Sequence, residues 1–150
     1  METIKSRLYL LCCEYADKCI ANALEALNNA TESANDETKS SAGDKHETGR
    51  AMAQLEQEKS VKQLSEAQDL KNVLQKIDPS LRSEKAGIGS VLITNKGNFY
   101  IAIAAGSLKV DDRLFYAISP SSPIALKFKG LSVNEKLEFN GQAYLITEIL

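Results

Sequence analysis

Ile88–Ala105, IGSVLITNKGNFYIAIAA, decides the fold class. From Gly87 the hydrophobic period becomes two, with β-branched and aromatic enrichment, and this predicts strands. Ile88–Thr94 and Phe99–Ala105 flank Asn95-Lys96-Gly97-Asn98, a hairpin-type connection. Downstream, Arg113–Ser119 (RLFYAIS) predicts a third strand. Ser121-Ser122-Pro123 then reads as a helix start, with a serine cap and proline at the first helical position. The short helix Pro123–Lys129 should end at Gly130. Lys136–Phe139 and Gln142–Ile149 surround Asn140-Gly141, the strongest short hairpin signal in the chain.

Upstream of Pro79 the spacing changes to three and four. Ile4, Leu8, Leu11, Tyr15, Cys19, Ala23, Ala26/Leu27 and Ala30 predict one helix from about Glu2 to about Asn29. Met52, Leu55, Val61, Leu64, Ala67, Leu70, Leu74 and Ile77 predict a second, from near Asp44–Thr48 to a stop before Pro79. Both stripes are narrow, and they bury best against each other as an antiparallel hairpin. An arm of about 30 residues at ~1.5 Å per residue reaches roughly 45 Å. Between the helices, NNATESANDETKSSAGDKHETG (28–49) has no aliphatic residue larger than alanine and predicts an exposed tip. The expected class is therefore α+β. A helical arm spans 1–78 with an acidic tip near 36–49, a linker spans 79–87, and a small, mostly antiparallel β domain with one short helix spans 88–150.

Composition bounds the function. With 18 Lys+Arg against 20 Asp+Glu the net charge is -2, which excludes a whole-molecule basic footprint for nucleic acid. The charge is divided: residues 1–80 hold 10 basic against 14 acidic residues, and 81–150 hold 8 against 6. No stretch approaches the roughly 20 apolar residues of a membrane span. Glu14 and Asp17 interrupt the apolar run a signal peptide would need. Cys12, Cys13 and Cys19 are clustered and odd in number, which disfavours a disulfide framework and fits a reducing cytoplasm.

Catalytic chemistry is sparsely supplied. His46 is the single histidine, and it reads as a surface residue of the tip. The cysteines have no C-x-x-C pair or histidine partner and read as small packing residues. The chain has no Gly-rich phosphate loop, no G-x-S-x-G and no paired-histidine motif. Asp44 and Glu47 remain, three apart and on one face of a helix start. They read either as acids favoured by the helix dipole, with Glu47 completing a cap, or as two carboxylates offered to a divalent cation in another protein's site. Two oxygens are only part of a magnesium shell, so the other ligands would come from the partner.

The segment ISPSSPIALKFKGLSVNEKLEF (118–139), the terminal YLITEIL and Gly89-Ser90-Val91 resemble the FKBP-like domain of Gre-type transcript cleavage factors, GreA and GreB, of bacterial RNA polymerase. The order of a coiled coil, a proline-marked linker and this domain is similar to that family's. At the arm's end, Gly43-Asp44-Lys45-His46-Glu47-Thr48-Gly49-Arg50-Ala51 resembles the family's G-D-x-x-E-N-x-x-Y. Both acids match, whereas Thr48 replaces the asparagine and Ala51 the tyrosine.

The resemblance implies a monomeric, cytoplasmic factor that is not itself an enzyme. Its C-terminal domain docks at the rim of the polymerase secondary channel through Ser121, Ser122, Pro123, Ile124 and Ala125, with Lys127 and Lys129 contributing charge. Its coiled coil enters the channel, and Asp44 and Glu47 help hold a Mg2+ ion shared with the polymerase active site, where backtracked RNA is hydrolysed. The free protein would carry no metal or cofactor of its own and touch no membrane.

Three other readings stand beside it. A Gre-fold regulator would occupy the channel and inhibit or retune the polymerase without cleavage. A peptidyl-prolyl isomerase of FKBP type would need an aromatic-lined pocket built from Phe99, Tyr100, Phe115, Tyr116, Phe128, Phe139 or Tyr144. A generic coiled-coil adaptor would form a homodimer.

Overall fold

The computed structural model describes residues 3–39 and 43–150, with the side chains of 36–47 outside the description. The protein is α+β: helices α1 (Ile4–Lys39) and α2 (Gly43–Gln75) precede strands β1 (Val91–Thr94), β2 (Gly97–Ile101), β3 (Gly106–Val110) and β4 (Arg113–Ile118). Helix α3 (Pro123–Phe128) and strands β5 (Lys136–Phe139) and β6 (Gln142–Ile149) complete the chain. Two compact units form, one from Ala16–Lys71 and the other from the residues up to Tyr15 with Asn72–Leu150. Pro79, the expected boundary, lies inside the second of these.

In the Ala16–Lys71 unit the helices run antiparallel. Lys71 Nζ pairs with Asp17 Oδ1 at 3.0 Å, and Gln57 Nε2 donates to Thr31 Oγ1 at 3.2 Å. The buried seam is made of small residues seven apart: Ala16, Ala23 and Ala30 on α1, and Ala53, Ser60 and Ala67 on α2. A seven-residue repeat keeps one face toward the partner helix, and side chains this short let two backbones approach closely. The larger apolar residues expected in the stripe lie off this seam. Met52, Leu55 and Val61 are more than half exposed, and Tyr15 is exposed as well.

The first helix also runs ten residues beyond the expected end at Asn29. The interval 30–39 lacks large aliphatics but also lacks Gly and Pro, and Ala30 is buried, so the seam itself carries the helix onward. Thr31 Oγ1 donates to the Leu27 carbonyl at 2.8 Å, one turn back.

In the other unit the strands form one sheet in the order β3-β4-β2-β1-β6-β5. All neighbours are antiparallel except β2 and β4, which pair in parallel through Phe99↔Tyr116 and Ile101↔Ile118. Strand β3, GSLKV, was not expected. Its hairpin with β4 turns through Asp111 and Asp112, both with positive φ (51° and 62°), as a tight hairpin requires. The expected Asn140-Gly141 turn is present, also with both φ positive (50° and 75°).

Alternation divides the sheet's side chains. Leu92, Phe99, Ile101, Ile146 and Ile149 form a core with Ala86 and with Ala125 and Phe128 of α3. Tyr100 points to the opposite face, close enough to Cys12, Cys13 and Tyr9 of α1 to interact electrostatically. The base of the hairpin, Leu8, Cys12, Leu74 and Ile77, is buried, and Arg7 pairs with Asp111 of the β3–β4 turn at 2.6 Å.

Gly89 illustrates how tightly this base is packed. Its φ is +84°, its amide donates to the Ile101 carbonyl at 2.6 Å, and an added Cβ would stand 3.2 Å from Ile77 Cγ2. Gly89→Ala is expected to cost about 1–2 kcal/mol in urea denaturation, from left-handed strain and crowding together. Gly87, two residues earlier, has nothing within 4 Å of its Cβ position. Gly87→Ala is therefore expected to be neutral or to stabilise by up to about 1 kcal/mol. Equal losses at the two positions would refute this packing.

Candidate functional site

The segment Ile118–Gly130 is built on serine hydroxyls. Ser122, extended at φ −65° and ψ 150°, caps α3: its Oγ accepts from the Ala125 amide at 3.3 Å and donates to the Ser119 carbonyl at 2.7 Å. Ser119 Oγ and Ser121 Oγ share a hydrogen bond of 2.8 Å, and the Ser121 amide donates to Ser119 Oγ at 3.1 Å. Pro123 occupies the first turn, where its missing N–H costs nothing. Gly130, at φ +84°, follows the cap residue Lys129, and its amide donates to the Ala86 carbonyl at 2.9 Å. The ends of this short helix are thus tied to the body of the unit.

The helix sorts the expected contact residues into two sets. Ala125 and Phe128 are buried, and Ile124 is half-buried against the same core. Ser122 is half-buried with its hydroxyl occupied by the cap. Ser121, Pro123, Lys127 and Lys129 are exposed. Leu126, not expected at the site, joins them at 58% exposure. Ala125 and Phe128 face inward, which leaves 126, 127 and 129 on the outer side. An exposed leucine followed by two exposed lysines can give a partner both an apolar anchor and a steering charge.

The tip residues Asp44, His46 and Glu47 fall within the first two turns of α2, and their side chains lie outside the described residues. Thr48 is exposed and Gly49 half-buried. Among the described residues no group of three His, Cys, Asp or Glu side chains could hold a metal ion. No described helix is long and apolar enough to cross a membrane.

None of the three cysteines is in a disulfide, and their settings differ. Cys12 is fully enclosed, and burial together with the neighbouring Cys13 pushes its thiol up to about 12, which suppresses the nucleophilic thiolate. Cys13 and Cys19 are half-buried. The aromatic residues an isomerase pocket would draw on pack against one another. Phe99 lies 5.3 Å from Phe128, 6.0 Å from Tyr116 and 6.1 Å from Tyr144, with Phe99 and Phe128 buried. Phe99 and Phe128 belong to the core, Tyr144 is half-buried against it, and Tyr116 is exposed. No protein-family model, curated protein or solved structure matches the chain.

Proposed function

We propose that the protein binds bacterial RNA polymerase at its secondary channel and stimulates hydrolysis of backtracked RNA by the polymerase's own active site. The observation that carries this reading is the place of the break between the long helices. α1 ends at Lys39 and α2 begins at Gly43, directly before Asp44 and Glu47. A two-helix arm with its acids at the turn is a stiff way to deliver carboxylates to a distant metal. From Ala16 to Lys39 the helix alone extends ~36 Å.

In this reading Asp44 and Glu47 supply two oxygens to a Mg2+ ion whose remaining ligands belong to the polymerase and its RNA. The ion neutralises charge at the attacking and leaving oxygens of the phosphodiester. The protein's own part is to bind and to place the acids. Docking falls to the exposed side of α3, Leu126 with Lys127 and Lys129, and to Ser121 and Pro123 before it.

Thr48 and Ala51, where the resembled pattern has asparagine and tyrosine, favour a second reading in which the arm occupies the channel without promoting cleavage. One assay separates the two. On stalled, backtracked elongation complexes the wild-type protein is expected to accelerate RNA shortening. Asp44→Asn/Glu47→Gln is expected to reduce that acceleration about 100-fold while leaving polymerase binding intact. Shortening that survives the double substitution would sink the carboxylate mechanism. Binding without shortening by the wild-type protein would establish the regulator, and absence of binding would remove both.

A further inference from the structure

The arm of residues 16–71 has a second face besides its seam. Met52, Leu55, Lys59, Gln63, Glu66 and Leu70 follow one another at steps of three and four, so they share one side of α2. Two of its apolar members stand in water: Met52 is 58% exposed and Leu55 59%. Along this side the two helices leave open space, as two cavities of about 660 and 470 Å3 that both reach Gln63. Met52 and Lys59 line the larger, and Glu66 and Leu70 the smaller. Across from them α1 contributes Ala26 and Ala23, whose side chains are too short to fill the space.

This face is complementary to itself when reversed. Laid antiparallel on its own copy, with the two-fold axis between Lys62 and Gln63, it sets Leu55 opposite the copy's Leu70 and Lys59 opposite the copy's Glu66. Symmetry makes each pair twice, so the contact is apolar at both ends with two opposite-charge pairs between. Parallel pairing in register would instead set Lys59 against Lys59 and Glu66 against Glu66. Lys59 has no ion pair among the described residues, and the one that Glu66 makes among them is an exposed contact with Lys62 at 4.0 Å. Neither charge is therefore committed within the arm. We propose that this face of α2 binds the same face of a second copy of the chain, two arms packing as an antiparallel four-helix bundle. The copy's Leu55 enters the smaller cavity against Leu70, Ala23 and Ala67. Burial of Met52, Leu55 and Leu70 supplies the affinity, and the Lys59–Glu66 pairs fix direction and register. The proposal does not rest on the polymerase reading, in which a single arm enters the channel; the dimer covers one side of that arm.

Sedimentation equilibrium of the full chain at low salt tests it. The wild-type chain is expected to pass from monomer to dimer with a dissociation constant below about 100 µM. Lys59→Glu, at an exposed position, sets two glutamates against each other at both charge pairs and is expected to weaken the dimer at least ~10-fold. Lys59→Glu/Glu66→Lys exchanges the charges within each pair and is expected to restore the dimer to within about threefold of wild type. Leu55→Glu, also at an exposed position, is expected to leave a monomer at about 300 µM, with circular dichroism confirming that the helices of every variant are intact. A wild-type chain that is monomeric at about 300 µM would overturn the proposal and leave the face to a helix of another protein. A dimer unchanged by Leu55→Glu, or a loss in Lys59→Glu that the exchange does not recover, would overturn it as well.

Discussion

Phe128→Ala is expected to lower the unfolding free energy by about 3–5 kcal/mol, read as a lower urea midpoint at unchanged slope. Phe128 is fully buried at the last position of α3, with its ring centroid 5.3 Å from that of Phe99 and 6.1 Å from that of Tyr144. Alanine would remove the ring that joins the helix to the sheet and leave a void bounded by strands that cannot close over it. Leu126→Ala, two residues away on the outer side of the same helix, is expected to change stability by no more than about 0.5 kcal/mol. Similar losses at the two positions would mean that α3 does not present Phe128 to the core. The contrast has a functional side as well, since Leu126 is then free to be tested for partner binding without loss of the fold.

Stability is expected to fall as the pH rises above about 9, because buried acids on the α1 side of the sheet resist ionising. The unfolded Cys12 thiol releases its proton near 9.0, whereas in the folded protein it is held until about 12. Between those values the folded state binds more protons than the unfolded state. It therefore loses about 1.4 kcal/mol per pH unit from this group alone. Tyr100 acts in the same direction from above 10.0, since burial and then the neighbouring Cys12 raise it, and Tyr9 is raised as well, chiefly by burial. Lys5 has the opposite sign. Burial lowers it below 10.5, so its cost to the folded state is relieved as the pH climbs to that value.

Denaturant titrations between about pH 8 and pH 11 would show the net loss, and Cys12→Ala should flatten the slope whatever its offset at neutral pH. A wild-type stability that is level across this range would contradict the burial of these groups. Tyr100→Phe adds a second check. The Tyr100 hydroxyl is buried without a hydrogen-bond partner, so its removal is expected to stabilise the protein by about 1 kcal/mol at neutral pH.

The hairpins around Asn95–Asn98 and Asn140-Gly141 were legible because turn chemistry and alternation within one hairpin are local properties, although the first strand pair closes tighter than expected, through Asn95-Lys96, with Thr94 opposite Gly97. Strand β3 was not. Gly106, Ser107 and Lys109 give GSLKV little apolar alternation, and it is a strand because β4 pairs with it from Gly106↔Ala117 to Val110↔Arg113. The seam of the arm was misread for a related reason. Residue size suggested Met52, Leu55 and Val61, but two helices in close contact select the positions where small side chains coincide on both. The candidate docking segment was legible as a capped helix start from Ser122 and Pro123. Which of its residues remain available depended on which side of α3 met the core.

The sequence by itself determined the α+β class, the two long helices, five of the six strands and the short capped helix. These follow from periodicity, capping and turn chemistry, all of which act within a few residues. Only the tertiary structure decided the parallel pairing of β2 with β4, the alanine and serine seam, the outward Leu126, and the enclosure of Lys5. Each of those depends on which surfaces meet across distant parts of the chain, and burial is a property of the pair of surfaces that no single stretch contains.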